Sequence, residues 1–210
     1  MKTILCFGDS NTWGAVPGKD QRYPNGERWT GIMQKQLGEN YEIIAEGQSG
    51  RTSIHDDPFE KHKNGLRYLV PCLESHQPDL LIILLGTNDL KARFSLNAHD
   101  IAYGVRVLAE EALNFRGSGG KKTQVLMVCP PRIIETGYYA NMLEGGENKS
   151  AKLPKFFKQN AKELSCEYYN ASALIEPSEI DGIHWHRESH KLLGEALAEK
   201  VRIIFSKGSS

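Results

Sequence analysis

The chain has 210 residues, 40% of them hydrophobic, which suffices for one domain with a real core and is short for two. Lys and Arg number 26 and Asp and Glu 26, so the formal net charge is +0; no basic face is imposed, and a nucleic-acid partner is disfavoured. No run approaches the ~18 apolar residues of a membrane span, and "GDS" interrupts the first apolar stretch before a secretory segment can form.

A soluble, cytoplasmic protein is therefore expected. Cys6, Cys72, Cys129 and Cys166 lie far apart without CxxC spacing, as suits buried free thiols of a reducing compartment rather than a zinc site.

The first predicted strand, Thr3–Phe7, runs straight into "GDSN". Taken alone, that turn reads more readily as structural, because glycine relaxes the backbone and Asp, Ser and Asn cap helices and turns. Glu27–Leu37 follows with Trp29, Ile32, Met33 and Leu37 at helical spacing. A second strand, Tyr41–Ala45, leads into "EGQSGRT". The third, Leu80–Leu85, is apolar at every position, the pattern of a strand covered on both faces, and it leads into "GTND". A helix is predicted over Ile101–Leu113 and a fourth strand over Gln124–Cys129. A fifth strand, Glu167–Tyr169, precedes "DGIHWH" and a final helix, Lys191–Phe205. Gly14–Gly26, Gln48–Lys63 and Gly137–Leu153 are the longest irregular pieces, and residues 206–210, "SKGSS", read as a frayed tail.

Strands alternating with helices imply a doubly wound α/β domain over residues 1–205. In open parallel sheets ligands bind beyond the carboxyl ends of the strands, and all four polar clusters map to that one rim. Their convergence favours a catalytic turn. Ser10 is the exposed hydroxyl at the first strand end, and Asp181, three residues before His184, can reach its Nδ1 within one helix-like turn. Acyl transfer also needs donors for an oxyanion; the backbone N–H groups of Ser10 and Gly50 and the side-chain amide of Asn88 are the candidates.

"FGDSN", "GQSG", "GTND" and "DGIH", in this order, resemble the four blocks of the SGNH (GDSL-like) hydrolase superfamily. Spread from residue 8 to residue 184, they cover nearly the whole chain; each is weak alone, while the ordered set is strong. The block letters fall on Ser10, Gly50, Asn88 and His184, with Asp181 as the triad acid. "GDSNTWGAVP", "RWTG", "DDP", "LGTNDLK" and "EGGENK" further resemble the bacterial arylesterase/acyltransferase branch. The resemblance implies a flavodoxin-like three-layer α/β/α sandwich on a five-stranded parallel sheet. It also implies ester hydrolysis with no metal and no organic cofactor, short acyl groups on aryl or alkyl alcohols, and some transfer to alcohols. Asn11 departs from the commonest motif, which has leucine there, and bears on the pocket floor rather than the triad.

Several residues have plainer readings. Asp9 and Asp89 suit Asx-type hydrogen bonds that fix loops. His186 and His190 lack HExxH spacing and a third ligand, so no zinc site is expected, and His190 is expected at the solvent face of its helix. Trp13 and Trp185 suit a pocket wall or the core equally. Arg28 and Arg51 are expected to pair with acidic neighbours. A carbohydrate or thioester deacylase shares these motifs. A phosphate-binding module is disfavoured by the lack of GxGxxG and GxxxxGK runs, and a non-catalytic protein by the intact set. A small-molecule ester is the implied partner, and a homo-oligomer is left open.

Overall fold

The structure, a computed structural model, describes residues 1–207. Five parallel strands form one sheet in the order β2-β1-β3-β4-β5: β1 Lys2–Gly8, β2 Tyr41–Gly47, β3 Leu80–Leu84, β4 Gln124–Cys129 and β5 Glu167–Asn170. The helices are α1 Ser10–Trp13, α2 Trp29–Leu37, α3 Leu66–His76, α4 Ala98–Asn114, α5 Gly146–Ser150, α6 Leu153–Glu163 and α7 Arg187–Lys207. The flavodoxin-like α/β architecture expected from the sequence is what the chain adopts.

Alternation along the central strands feeds two cores. Leu5, Phe7, Leu81, Ile83, Val125 and Met127 face α3, α4 and α6, whereas Ile4, Cys6, Ile82, Leu84, Leu126 and Val128 face α2 and α7. Both faces of β3 are covered, which is why every position of "LLIIL" is apolar and buried. Register then aligns the strand ends: Gly8 stands opposite Gly47 of β2 and opposite Leu84 of β3. The chain leaves all three strands at one level of one rim.

Strand boundaries fall within two residues of expectation, and three differences from the sequence reading have physical causes. Helices α3 and α6 are absent from the sequence reading; Pro71 interrupts the α3 sequence, yet that helix continues through it to a left-handed cap at Gln77. Short 3-10 turns and α5 occupy the stretch from residue 137 to residue 153 that reads as irregular. The last helix includes Ser206 and Lys207, assigned above to the tail, where Lys207 pairs with Glu167 at 2.8 Å; residues 208–210 lie outside the described residues.

His190 is a correction of a different kind. Instead of facing solvent it is fully buried beneath the rim, its ring against Tyr23 and Trp185, with Nδ1 accepting the Trp29 N–H at 3.4 Å. Burial, aided by the nearby Arg28 charge, pushes its pKa down to about 3. The folded value lies below the ordinary one of about 6.5, so the unfolded chain takes up the proton first. Stability is then fully present above about pH 6.5 and falls as pH drops toward 3. Urea midpoints should decline through that window, and His190→Asn, which keeps an acceptor near the Nδ1 position, should flatten the decline; an unchanged slope refutes the assignment.

Candidate active site

Asp9 caps the single turn α1 by accepting the Asn11 N–H at 2.9 Å, so the chain turns sharply off β1 and carries Ser10 at the first helical position. The Ser10 hydroxyl is 2.9 Å from His184 Nε2, and His184 Nδ1 is 2.8 Å from Asp181 Oδ2. The segment holding the last two is a turn rather than the helix-like backbone expected from their spacing. Gly182 has φ 76°, and a β-carbon there would fall 1.9 Å from the Ile134 carbonyl oxygen, so this close approach requires glycine. Within the turn Asp181 Oδ1 accepts the N–H groups of Ile183 and His184, and Oδ2 also accepts that of Gly18. Burial opposes ionisation of Asp181, but those donors and the His184 ring outweigh it and hold the carboxyl at about 2.

Ser10, Gly50, Asn88 and His184 line one cleft of about 760 Å³. Gly50 adopts φ 80°, a conformation that presents its backbone to the cleft. The Gly50 loop is anchored from below: Arg51 donates to the carbonyls of Gly8 (2.9 Å) and Glu46 and stacks on the Phe7 ring. The Asn88 turn is anchored by Asp89, fully buried, whose carboxylate accepts the Ser53 N–H and hydroxyl. Asp9 fixes its loop by the Asx-type bond the sequence suggests, whereas Asp89 fixes its turn through Ser53, 36 positions away. Burial pushes Asp9 up to about 6, its one backbone donor offsetting part of that cost.

Other expectations change. Arg51 and Arg28 bind backbone carbonyls rather than carboxylates, Arg28 through its Nε to Tyr23. Trp13 does line the cleft, its ring under the Arg22 guanidinium at 4.9 Å. Trp185 does not: it is 1% exposed and packs in the core with α2 and α7. Asn11 is likewise buried, its amide donating to the Ile183 carbonyl, so it ties the serine turn to the histidine turn instead of flooring the pocket. His186 is exposed and His190 buried, in surroundings unlike that of His184.

Two further sets of side chains line the cleft. Tyr138 and Tyr139 come from the long loop after β4, and the Tyr139 ring meets His184 edge-on at 5.9 Å. Lys91, Arg93 and Glu60 also line the cleft, Lys91 being buried against Asp57 and Glu60. A lysine directly after the apolar Leu90 was the available signal for the second set, but its carboxylate partners lie more than thirty positions away.

The GDSL-like lipase/acylhydrolase family model matches residues 6–192. A native aryl esterase of M. smegmatis is similar, with 41% identity over 96% of this chain and 99% of that one and a TM-score of 0.91. A carbohydrate acetylesterase from Sinorhizobium meliloti has 40% identity, coverage of 97% and 100%, and a TM-score of 0.92. A second carbohydrate acetylesterase family member from that organism has 33% identity, coverage of 98% and 100%, and a TM-score of 0.94. No curated protein sequence matches.

Trp185→Ala should cost about 3–5 kcal/mol of stability in urea titrations, the scale of a large core truncation. A loss under 1 kcal/mol, on the order of a surface change, would place the ring outside the core.

Proposed function

Since the chain belongs to the GDSL-like lipase/acylhydrolase family and is a carboxylic ester hydrolase, we propose that Ser10, His184 and Asp181 carry the reaction through an acyl-enzyme on Ser10. The observation that carries this reading is the continuous chain from Ser10 Oγ through His184 to Asp181, with contacts of 2.9 and 2.8 Å. Ser10 Oγ attacks the ester carbonyl carbon while its proton passes to His184 Nε2. The oxygen that becomes negative is met by the Ser10 and Gly50 N–H groups and the Asn88 amide, none of which has another hydrogen-bond partner among the described residues. His184 returns the proton to the leaving alkoxide, and water, activated in the same way, releases the acid. Asp181, held at about 2, stays ionised throughout and stabilises the imidazolium.

Short acyl groups are favoured because the fixed Trp13 ring stands in the cleft beside Ser10. The cleft is open enough for an alcohol to replace water, which supports some acyl transfer. A carbohydrate ester is the second reading, favoured by Asp20, Gln21, Lys63 and Asn141 around the same cleft, polar groups suited to hydroxyls. We take the described residues, 1–207, as one catalytic unit working in the cytoplasm, supported by four free cysteines. No described helix is long and apolar enough to cross a membrane.

A fluorophosphonate should add one label at Ser10, and Ser10→Ala should lose both label and turnover. Acetyl esters should be cleaved faster than octanoyl esters; the reverse order, or a label on another serine, overturns the reading. Asn88→Ala should lower kcat by about 10²–10³, the scale of removing one oxyanion donor, with melting temperature nearly unchanged. An effect confined to KM would make Asn88 a ground-state contact.

A further inference from the structure

The stretch from Asp57 to Lys63 reaches both loops that present side or backbone donors to the cleft. Lys63 Nζ donates to the Ser49 carbonyl at 2.8 Å. The Glu60 carboxylate lies over the α-carbon of Gly50: a β-carbon built there would meet Glu60 Oε2 at 2.7 Å. Glu60 Oε1 accepts from Lys91 Nζ at 2.6 Å and stands 3.7 Å from Arg93 Nη2. Lys91 and Arg93 also hold Asp57, at 3.0 and 3.1 Å. Lys91 directly follows the Asn88–Leu90 turn. One network of side chains therefore runs from the Gly50 loop to the Asn88 turn.

Burying this network is costly. The side chains of Lys91 and Asp57 are 1% and 0% exposed, and a buried pair of ions contributes little net stability compared with apolar residues of the same volume. What it supplies is placement. Gln48–Lys63 forms no helix or strand among the described residues, so side chains hold Gly50 against Asn88: the Asp89 carboxylate on Ser53 at one point and the Lys91–Glu60 pair at another. A donor displaced by a fraction of an ångström loses much of its effect on a developing charge. Glu60 moreover sets a carboxylate beside the place where the oxyanion forms, a repulsion that Lys91 and Arg93 cancel.

We propose that Lys91 and Glu60 are positioning residues for the oxyanion donors: their ion pair clamps the Gly50 loop to the Asn88 turn, and Lys91 neutralises the Glu60 carboxylate facing that site. The proposal rests on the serine-hydrolase reading above. Lys91→Met should lower kcat on an acetyl ester by about 10²-fold with KM held within about threefold, and weaken an alkylboronic acid, which forms a tetrahedral adduct on a reactive serine, by a similar factor. Adding Glu60→Gln to Lys91→Met removes the carboxylate left facing the oxyanion site, while Asp57 keeps Arg93, and should recover about tenfold of the loss. Independently of turnover, the Gly50 amide resonance should shift in Lys91→Met. If Lys91→Met fails to fold, Glu60→Ala, whose side chain is 38% exposed, serves instead: kcat and the Gly50 resonance must both move. Unchanged kcat, a loss confined to KM, or an unmoved Gly50 resonance overturns the positioning role. Turnover that survives Ser10→Ala overturns the serine reading instead, and the Gly50 resonance still decides the clamp.

Discussion

Gly8, Gly47 and Leu84 stand level on neighbouring parallel strands, and the cleft follows from that register. Ser10, Gly50 and Asn88 each lie within four residues of one of these ends, so three unrelated stretches of chain open onto the same few ångströms. The register is itself strongly specified. Cys6 and Phe7 belong to opposite cores, and a slip by one residue would exchange every side chain on β1 between the α2/α7 and α3/α4/α6 layers. The packing that stabilises the sheet is thereby the packing that assembles the site.

Four buried aspartates around the rim show how local donors set the state of one residue type. Asp181 accepts three backbone N–H groups and the His184 ring, and sits at about 2. Asp9 accepts one backbone N–H and rises to about 6. Asp89, wholly enclosed and accepting from the Ser53 N–H and hydroxyl, is also raised by burial. Burial works against Asp57 too, but Lys91, Arg93 and the Phe59 N–H reverse the balance and lower it. Desolvation is common to all four; the number and charge of donors decide the sign.

The cleft differs in character from wall to wall. One side is closely packed: the backbone of α1 lies so near β2 that a β-carbon on Gly47 would meet the Trp13 backbone nitrogen at 2.2 Å. The other side is the loop after β4, where Tyr138 is 91% exposed and Tyr139 rests on His184. A closely packed wall beside the serine thus faces a loop that carries exposed aromatics at the mouth of the cleft, and loops on a rigid scaffold are where specificity is set.

Much of this was legible in the chain because its signals are local. Five apolar runs became five strands, and the Gly8–Ser10 and Asp181–His184 patterns each span only a few residues. Asx-type turns at Asp9 and Asp181 are likewise short-range chemistry, readable from adjacent residues. Surroundings were not legible. Trp185 could wall a pocket or fill the core and His190 reads as solvent-facing, and only the docking of α7 against α2 encloses them. Arg51 looked like a partner for a carboxylate, yet the ends of β1 and β2 offer it carbonyls first. Lys91 and Asp57 are 34 positions apart, and nothing in either stretch names the other. The sequence by itself determined the strands, the turns and the identities of the groups at the rim, because periodicity and turn chemistry act over a few residues. Which of those groups face the cleft, and which charges are buried beside it, was decided only when the helices closed over the sheet, because burial is a property of elements brought together from distant parts of the chain.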